Sequence, residues 1–99
     1  MDSEIKVLWT DQAIENLESI LNYLESEWSP NTTDSFKDKL TRALNLLKKF
    51  PTLGSESSLK QGIRRFVMSI QVSIFYEIYN DTMIIHYLFD NRQDPKNIE

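Results

Sequence analysis

The spacing of apolar residues changes once along this chain, and that change limits the folds open to it. As far as residue 50 the apolar positions recur every three or four residues, which places them on one face of a helix. From residue 62 onward they follow a period of about two, which is typical of strands. We therefore predict an α+β fold made of an N-terminal strand, a helical hairpin and a three-stranded antiparallel meander.

Two amphipathic helices are predicted between residues 10 and 50. The first follows a short β-prone segment, Ile5–Trp9, and Thr10 can cap it. The second begins after Ser29, because Pro30 is tolerated in a first helical turn, and it ends before Pro51. The apolar stripes are Ala13, Leu17, Ile20, Leu21, Leu24 and Trp28 in the first helix, and Phe36, Leu40, Ala43, Leu44, Leu47 and Phe50 in the second. The tight break between them predicts a helical hairpin.

The second half of the chain predicts the meander. Its strands are Gly62–Met68, Val72–Tyr79 and Thr82–Phe89. The stretch Pro51–Gln61 contains proline, glycine and serines, so we interpret it as the one substantial loop. Asn80 and Asp81 favour a two-residue hairpin turn, because both residue types tolerate positive φ.

That turn predicts which residues of the last two strands share a face. The core-facing pairs are Ile78 with Met83, Tyr76 with Ile85, Ile74 with Tyr87, and Val72 with Phe89. The opposite face, named the open face because the helices leave it uncovered, pairs Glu77 with Ile84, Phe75 with His86, and Ser73 with Leu88. A two-residue turn at Ser69 and Ile70 places Arg64 near Phe75 on this open face.

Composition restricts the classes of function. The net charge of −4 and the pI of about 4.9 argue against a dedicated nucleic-acid binder, so no direct binding to free DNA is expected. With no cysteine and one histidine, thiolate and His-cluster metal centres are excluded, and no cofactor is expected. The chain suits one domain over residues 1–99. It has no bilayer-length apolar run and no leader-like N-terminus, so we expect a cytoplasmic protein without a membrane partner.

Several local patterns accompany this order of elements. They are Leu8-Trp9-Thr10 followed by Ala13 and Leu17, the aromatic residues Tyr23 and Trp28, the stripe from Phe36 to Leu47 followed by Pro51 and Leu53-Gly54, Gly62-Ile63-Arg64, Ile74-Phe75-Tyr76-Glu77-Ile78, and the ending Leu88-Phe89-Asp90-Asn91-Arg92-Gln93-Asp94-Pro95. Together, over nearly the whole chain, they resemble the RelE/ParE superfamily of toxins from bacterial toxin–antitoxin pairs. The ending resembles that of plasmid-stabilisation members.

This resemblance implies the toxin of a type II module, which inhibits growth and is neutralised by a cognate antitoxin. ParE-like members bind DNA gyrase, whereas RelE-like members cut messenger RNA in the ribosome. We favour ParE-like action on a protein target such as gyrase. The alternatives are a ribosome-dependent mRNA endonuclease, or an inactive relative that still binds its antitoxin. A homodimer is compatible with each of these.

The resemblance also implies candidate site residues. The target-binding candidates are Arg64, Arg65, Phe75, His86 and Arg92. Catalytic residues are unassigned, but a nuclease would take its cation from Arg64, Arg65 or Arg92. Proton transfer would then fall to His86 and Glu77. Asp90 stands where relatives often carry histidine, and this departure argues against nuclease chemistry.

Each candidate also has an ordinary structural interpretation. Arg64, the strongest functional candidate, can form an ion pair with Glu77. His86 can serve as a cross-strand packing partner. Arg92 can anchor the C-terminal turn through Asp90.

Overall fold

The computed structural model describes residues 5–27, 30–57, 60–69 and 72–90. The elements are β1 (Lys6–Trp9), α1 (Asp11–Glu27), α2 (Pro30–Lys49), β2 (Ser55–Glu56), β3 (Arg64–Val67), β4 (Val72–Tyr79) and β5 (Thr82–Asp90). The predicted α+β fold with its helical hairpin is confirmed. One strand was missed, because β2 lies within the stretch interpreted as loop. A strand of two residues is too short to show a period of two.

The strands form one mixed sheet in the order β1-β5-β4-β3-β2. β1 pairs with β5 in parallel, and the other neighbours are antiparallel. Tyr79 pairs with Thr82 across the predicted hairpin turn, and Asn80 has a φ of 56°. The positive φ of Asn80 agrees with the predicted turn, because asparagine tolerates positive φ.

The core lies between the two helices and one face of the sheet. Its buried members are Ala13, Ile20, Leu24, Phe36, Leu40, Ala43, Leu47, Val72, Ile74, Tyr76, Met83, Ile85 and Leu88. The helix members belong to the two stripes that the sequence indicated, and burying each large side chain contributes about 1.5–3 kcal/mol. Thr10 caps α1 as predicted, because its Oγ1 accepts a hydrogen bond from the Ala13 amide at 3.1 Å.

A β-bulge corrects the predicted register of the last hairpin. Pairing follows the prediction from the turn as far as Tyr76 opposite Ile85, and then shifts by one residue. Phe75 therefore lies opposite Tyr87, while His86 is the extra residue of β5. A bulge exchanges the two faces of the strand beyond the extra residue. Tyr87 is therefore 42% exposed, and Leu88 takes the core position that was predicted for Tyr87.

The register of β3 also differs from the prediction. Three residues, rather than two, separate Met68 from Val72, whose carbonyl accepts a hydrogen bond from the Met68 amide at 3.0 Å. The shift places Arg65 opposite Phe75 and Arg64 opposite Tyr76. Arg64 therefore lies on the helix side of the sheet, not on the open face.

Candidate functional site

The open face of the sheet carries the side chains with the most functional chemistry. Six residues from three neighbouring strands form this cluster: Arg65, Ser73, Phe75, Glu77, His86 and Tyr87. Four of the chain's exposed large hydrophobic residues, Leu8, Val67, Tyr79 and Tyr87, also belong to this face. These side chains are spread over the face, since Val67 lies beside Ser73 and Tyr79 lies at the other end of β4.

Arg65 and two aromatic rings form one half of the cluster. The guanidinium carbon of Arg65 lies 5.9 Å from the centroid of the Phe75 ring, within the range of a cation–π contact. Arg65 Nε also donates to Ser73 Oγ at 3.2 Å. The Phe75 and Tyr87 rings meet edge to face, with centroids 6.2 Å apart and planes at 80°. These contacts hold the arginine and both rings in fixed relative positions.

Burial in this half differs from the expectation of an exposed face. Ser73 is 1% exposed and Phe75 is 9% exposed, although both point away from the helices. Phe75 lies under Arg65 and against Tyr87, so its neighbours on the sheet contribute to that burial. Arg65 and Tyr87 are therefore the parts of this half that a partner can reach.

His86 and Glu77 form the other half of the cluster. His86 Nε2 lies 2.9 Å from Glu77 Oε1, with the two side chains 24% and 35% exposed. In the neutral form with hydrogen on Nε2, the imidazole donates to the carboxylate, and Nδ1 remains as an acceptor. A histidine oriented by a carboxylate can transfer protons. As a partly exposed pair it contributes about 0–1 kcal/mol to stability.

Arg64 holds the loop before β2. Its Nη1 donates to the Gly54 carbonyl at 2.6 Å and to the Thr52 carbonyl at 3.3 Å. The buried Tyr76 hydroxyl holds the same loop, donating to the Pro51 carbonyl at 2.7 Å and accepting from the Gly54 amide at 3.0 Å. The predicted ion pair with Glu77 is absent from the described contacts of Arg64.

The structure thus brings together Arg65, Phe75 and His86 from the predicted candidates, and separates Arg64 from them. Arg92 and Trp28 lie outside the described residues. Sequence reasoning missed Tyr87 as a site residue, because it assumed an unbroken register. The run His86-Tyr87-Leu88-Phe89, which lacks a clear polar and apolar alternation, was the available signal.

A shallow groove on the helix side is a second candidate surface. It has a volume of about 290 Å³ and lies between α2 and β3. Its lining residues are Lys39, Arg42, Ala43, Leu46, Phe66 and Met68. An apolar floor beside two cations suits a partner segment that combines apolar and acidic side chains.

The part of the chain that the structure describes contains neither a membrane-spanning helix nor a metal-binding group of side chains. Neither α1 nor α2 combines the length and the apolar character that crossing a bilayer requires. Within residues 5–27, 30–57, 60–69 and 72–90, histidine and acidic side chains nowhere gather in a group of three that could hold a metal ion.

Solved structures share this arrangement of strands and helices. A chain of the chromosomal ParDE system from P. aeruginosa superposes with a TM-score of 0.73 at 15% identity, covering 88% of this chain and 96% of that one. A chain of the E. coli DinJ–YafQ toxin–antitoxin complex gives 0.65 at 8% identity, with 93% and 98% covered. The YoeB dimer from Staphylococcus aureus gives 0.61 at 12% identity, with 88% and 97% covered. At these identities the similarity shows a common fold.

The family is shown by the sequence itself. Residues 7–95 match the model of the ParE toxin of the type II toxin–antitoxin system parDE. No curated protein is similar enough in sequence to be matched. Because the family model spans most of the chain, the chain belongs to the ParE toxin family of type II toxin–antitoxin systems.

Proposed function

We propose that this toxin inhibits growth by binding a protein target, such as DNA gyrase, through the open face of its sheet. The observation that carries the proposal is the cluster of Arg65, Phe75 and Tyr87, held together by ring and cation–π contacts. Arginine and aromatic side chains contribute most of the binding energy in protein interfaces. An acidic chain with a net charge of −4 suits a protein target better than a phosphate backbone.

A ribosome-dependent mRNA endonuclease is the second candidate function. It is favoured by the His86–Glu77 contact of 2.9 Å, because such a pair can move the two protons that cleavage beside a 2′-hydroxyl requires. Arg65 lies on the same face and is its candidate cation, since Arg64 is bonded to loop carbonyls.

Growth inhibition by matched variants separates the two functions. Each variant is induced without antitoxin, and gyrase-trapped DNA breaks and primer extension on a translated message are measured side by side. We expect Arg65→Ala to lose most inhibition and His86→Ala to retain most of it, with intact messages and trapped DNA breaks in the wild type. Lys37→Ala, at an exposed position of α2, is the control for a lost cation.

The opposite pattern favours the nuclease. A catalytic His86 would lower the cleavage rate about a hundredfold or more when replaced by alanine. Codon-phased cuts in the message that vanish in His86→Ala therefore contradict the proposal that this toxin acts by binding a protein target such as gyrase. Arg64→Ala is avoided as a functional test, because the lost bonds to Gly54 and Thr52 affect folding as well.

We infer that the cognate antitoxin places an acidic, partly apolar segment in the groove between α2 and β3. The groove offers Lys39 and Arg42 beside apolar side chains, and no ion pair to either is seen within the described residues. The doubly reversed variant Lys39→Glu with Arg42→Glu is expected to remain toxic but to escape neutralisation when the antitoxin is co-expressed. Reversal at Lys37 and Lys48, outside the groove lining, is the matched control. Full neutralisation of the groove variant excludes this site.

A further inference from the structure

The outer edge of β5 changes its partner at the bulge. β1 pairs with β5 from Lys6 opposite Thr82 to Trp9 opposite Ile85, and then the chain enters α1. Beyond Ile85 no strand lies on that side of β5 within the described residues. Backbone groups at a bulge lose their regular ladder bonds, so they need other partners or water.

Thr10, which precedes α1 as its cap, and Asn16 within α1 supply those partners. Thr10 Oγ1 lies 3.1 Å from the carbonyl oxygen of Ile85 and 3.1 Å from that of His86, so its one hydrogen can be donated to either. The Ile85 carbonyl also accepts from the Thr10 amide at 3.2 Å. Two residues beyond His86 along β5, the Leu88 amide donates to Asn16 Oδ1 at 3.2 Å. The start of α1 therefore holds β5 on both sides of the extra residue.

The position of the bulge controls the chemistry of the open face. Alternation alone would place only one of two consecutive residues there, but the bulge presents both His86 and Tyr87. His86 then contacts Glu77, and Tyr87 contacts Phe75. Without the bulge, Tyr87 would compete for the core position that Leu88 occupies.

We propose that Thr10 and Asn16 are positioning residues, which hold the β5 bulge and thereby orient His86 and Tyr87 for the target of this toxin. The inference rests on the proposed function of the open face. Neither residue belongs to that face, since both act through the backbone of β5.

Two pairs of variants separate this role from general stability. Thr10→Asp keeps an acceptor that can cap α1 but loses the donor, whereas Thr10→Ser keeps both. Asn16→Leu removes the acceptor for the Leu88 amide, and Asn16→Asp retains one. Asn22→Leu, at an exposed position of the same helix, is the matched control.

Nuclear magnetic resonance provides a readout that does not depend on toxicity. His86 is the one histidine of the chain, so its ring gives an unambiguous signal. The edge-to-face contact between Phe75 and Tyr87 gives a nuclear Overhauser effect between their rings. We expect Thr10→Asp and Asn16→Leu to remain folded by circular dichroism, to shift the His86 signal and to lose the Phe75–Tyr87 effect. We expect growth inhibition to fall about tenfold, and Thr10→Ser and Asn16→Asp to behave as wild type.

The outcomes distinguish this inference from the function on which it rests. If Thr10→Asp and Asn16→Leu retain the Phe75–Tyr87 effect and the His86 signal, the positioning role is wrong, whatever happens to growth. If the ring contact is lost while inhibition stays at the wild-type level, Thr10 and Asn16 do hold the bulge, and the open face is not the target surface. If Thr10→Asp fails to fold, Asn16→Leu decides the question, because that change leaves the helix cap intact.

Discussion

Replacing Tyr76 with phenylalanine removes one oxygen atom from a buried side chain of the sheet whose hydroxyl makes two hydrogen bonds. Tyr76 is 0% exposed, and its hydroxyl contacts both the Pro51 carbonyl and the Gly54 amide. The ring fits the same space without the hydroxyl, so the change tests the hydrogen bonds and not the packing. It therefore measures how strongly β4 holds the loop between α2 and β2.

The expected loss in free energy of unfolding depends on whether the Pro51 carbonyl and the Gly54 amide find new hydrogen-bond partners. The Pro51 carbonyl is in a partly exposed residue and can bond to water, whereas the Gly54 amide is buried. A lost hydrogen bond costs a net of about 0.5–1.5 kcal/mol, and a buried donor left unpaired costs more. We therefore expect Tyr76→Phe to lower the free energy of unfolding by about 2 kcal/mol. For a domain of this size that lowers the melting temperature by about 10 °C.

Urea denaturation and thermal melting check this value. Tyr79→Phe is the matched control, because Tyr79 is 64% exposed at the end of the same strand. We expect the control to change the free energy of unfolding by less than about 0.5 kcal/mol. Equal midpoints for the two variants would refute the reasoning that the Tyr76 hydroxyl stabilises the loop.

Alkaline pH extends the same test. Burial raises the pKa of Tyr76 above 10.0, outweighing the hydrogen bond from Gly54 and the charge of Arg64, which lower the pKa. Because the folded state holds this proton more tightly than the unfolded chain, the stabilisation is complete below about pH 10 and declines as pH rises toward the folded pKa. The difference in free energy of unfolding between wild type and Tyr76→Phe should stay constant from about pH 8 to about pH 10 and shrink as the pH rises further to about pH 11. A constant difference over this range contradicts the raised pKa.

Two further substitutions test the turns that set the sheet. Gly54→Ala should lower the free energy of unfolding by about 1–3 kcal/mol in urea denaturation, because a Cβ there would lie 2.8 Å from the Tyr76 hydroxyl oxygen and 2.9 Å from the Arg65 carbonyl; an unchanged midpoint would show that the loop moves freely. Asn80→Ala should cost about 1 kcal/mol in a thermal melt, since Asn80 has a φ of 56°, while Asn80→Gly should be tolerated; the reverse order of melting temperatures would count against strain at this turn.

Much of the fold was predictable because its signals are local. The helix stripes, the cap at Thr10, the break before Pro51 and the hairpin turn at Asn80 each depend on a few neighbouring residues. The pairing of Tyr76 with Ile85 followed from the length of that turn. Local chemistry therefore fixed the elements and the first half of the hairpin register.

The site was less predictable, because its geometry depends on contacts between distant residues. The bulge that turns Tyr87 outward is contacted by Thr10, which is 76 residues from His86 in the chain, and the run His86-Tyr87-Leu88-Phe89 is only a weak local signal for it. The three-residue connection after Met68 exchanged the faces of Arg64 and Arg65. A shift of one residue reverses the face of every side chain beyond it, so the sequence predicted Arg64, and not Arg65, beside Phe75 on the open face.

The parallel pairing of β1 with β5 has a consequence for synthesis. Thr10 and Ile85, joined by a hydrogen bond, are 75 residues apart in the chain. The first strand therefore cannot pair with β5 until β5 has been synthesised. At about 5–20 residues per second, several seconds pass between the emergence of α2 and that of β5. During that interval the helical hairpin has no complete sheet to cover its apolar stripe. The open face is assembled only when translation of β5 is complete, so a nascent chain lacks this face until its last strand has been made.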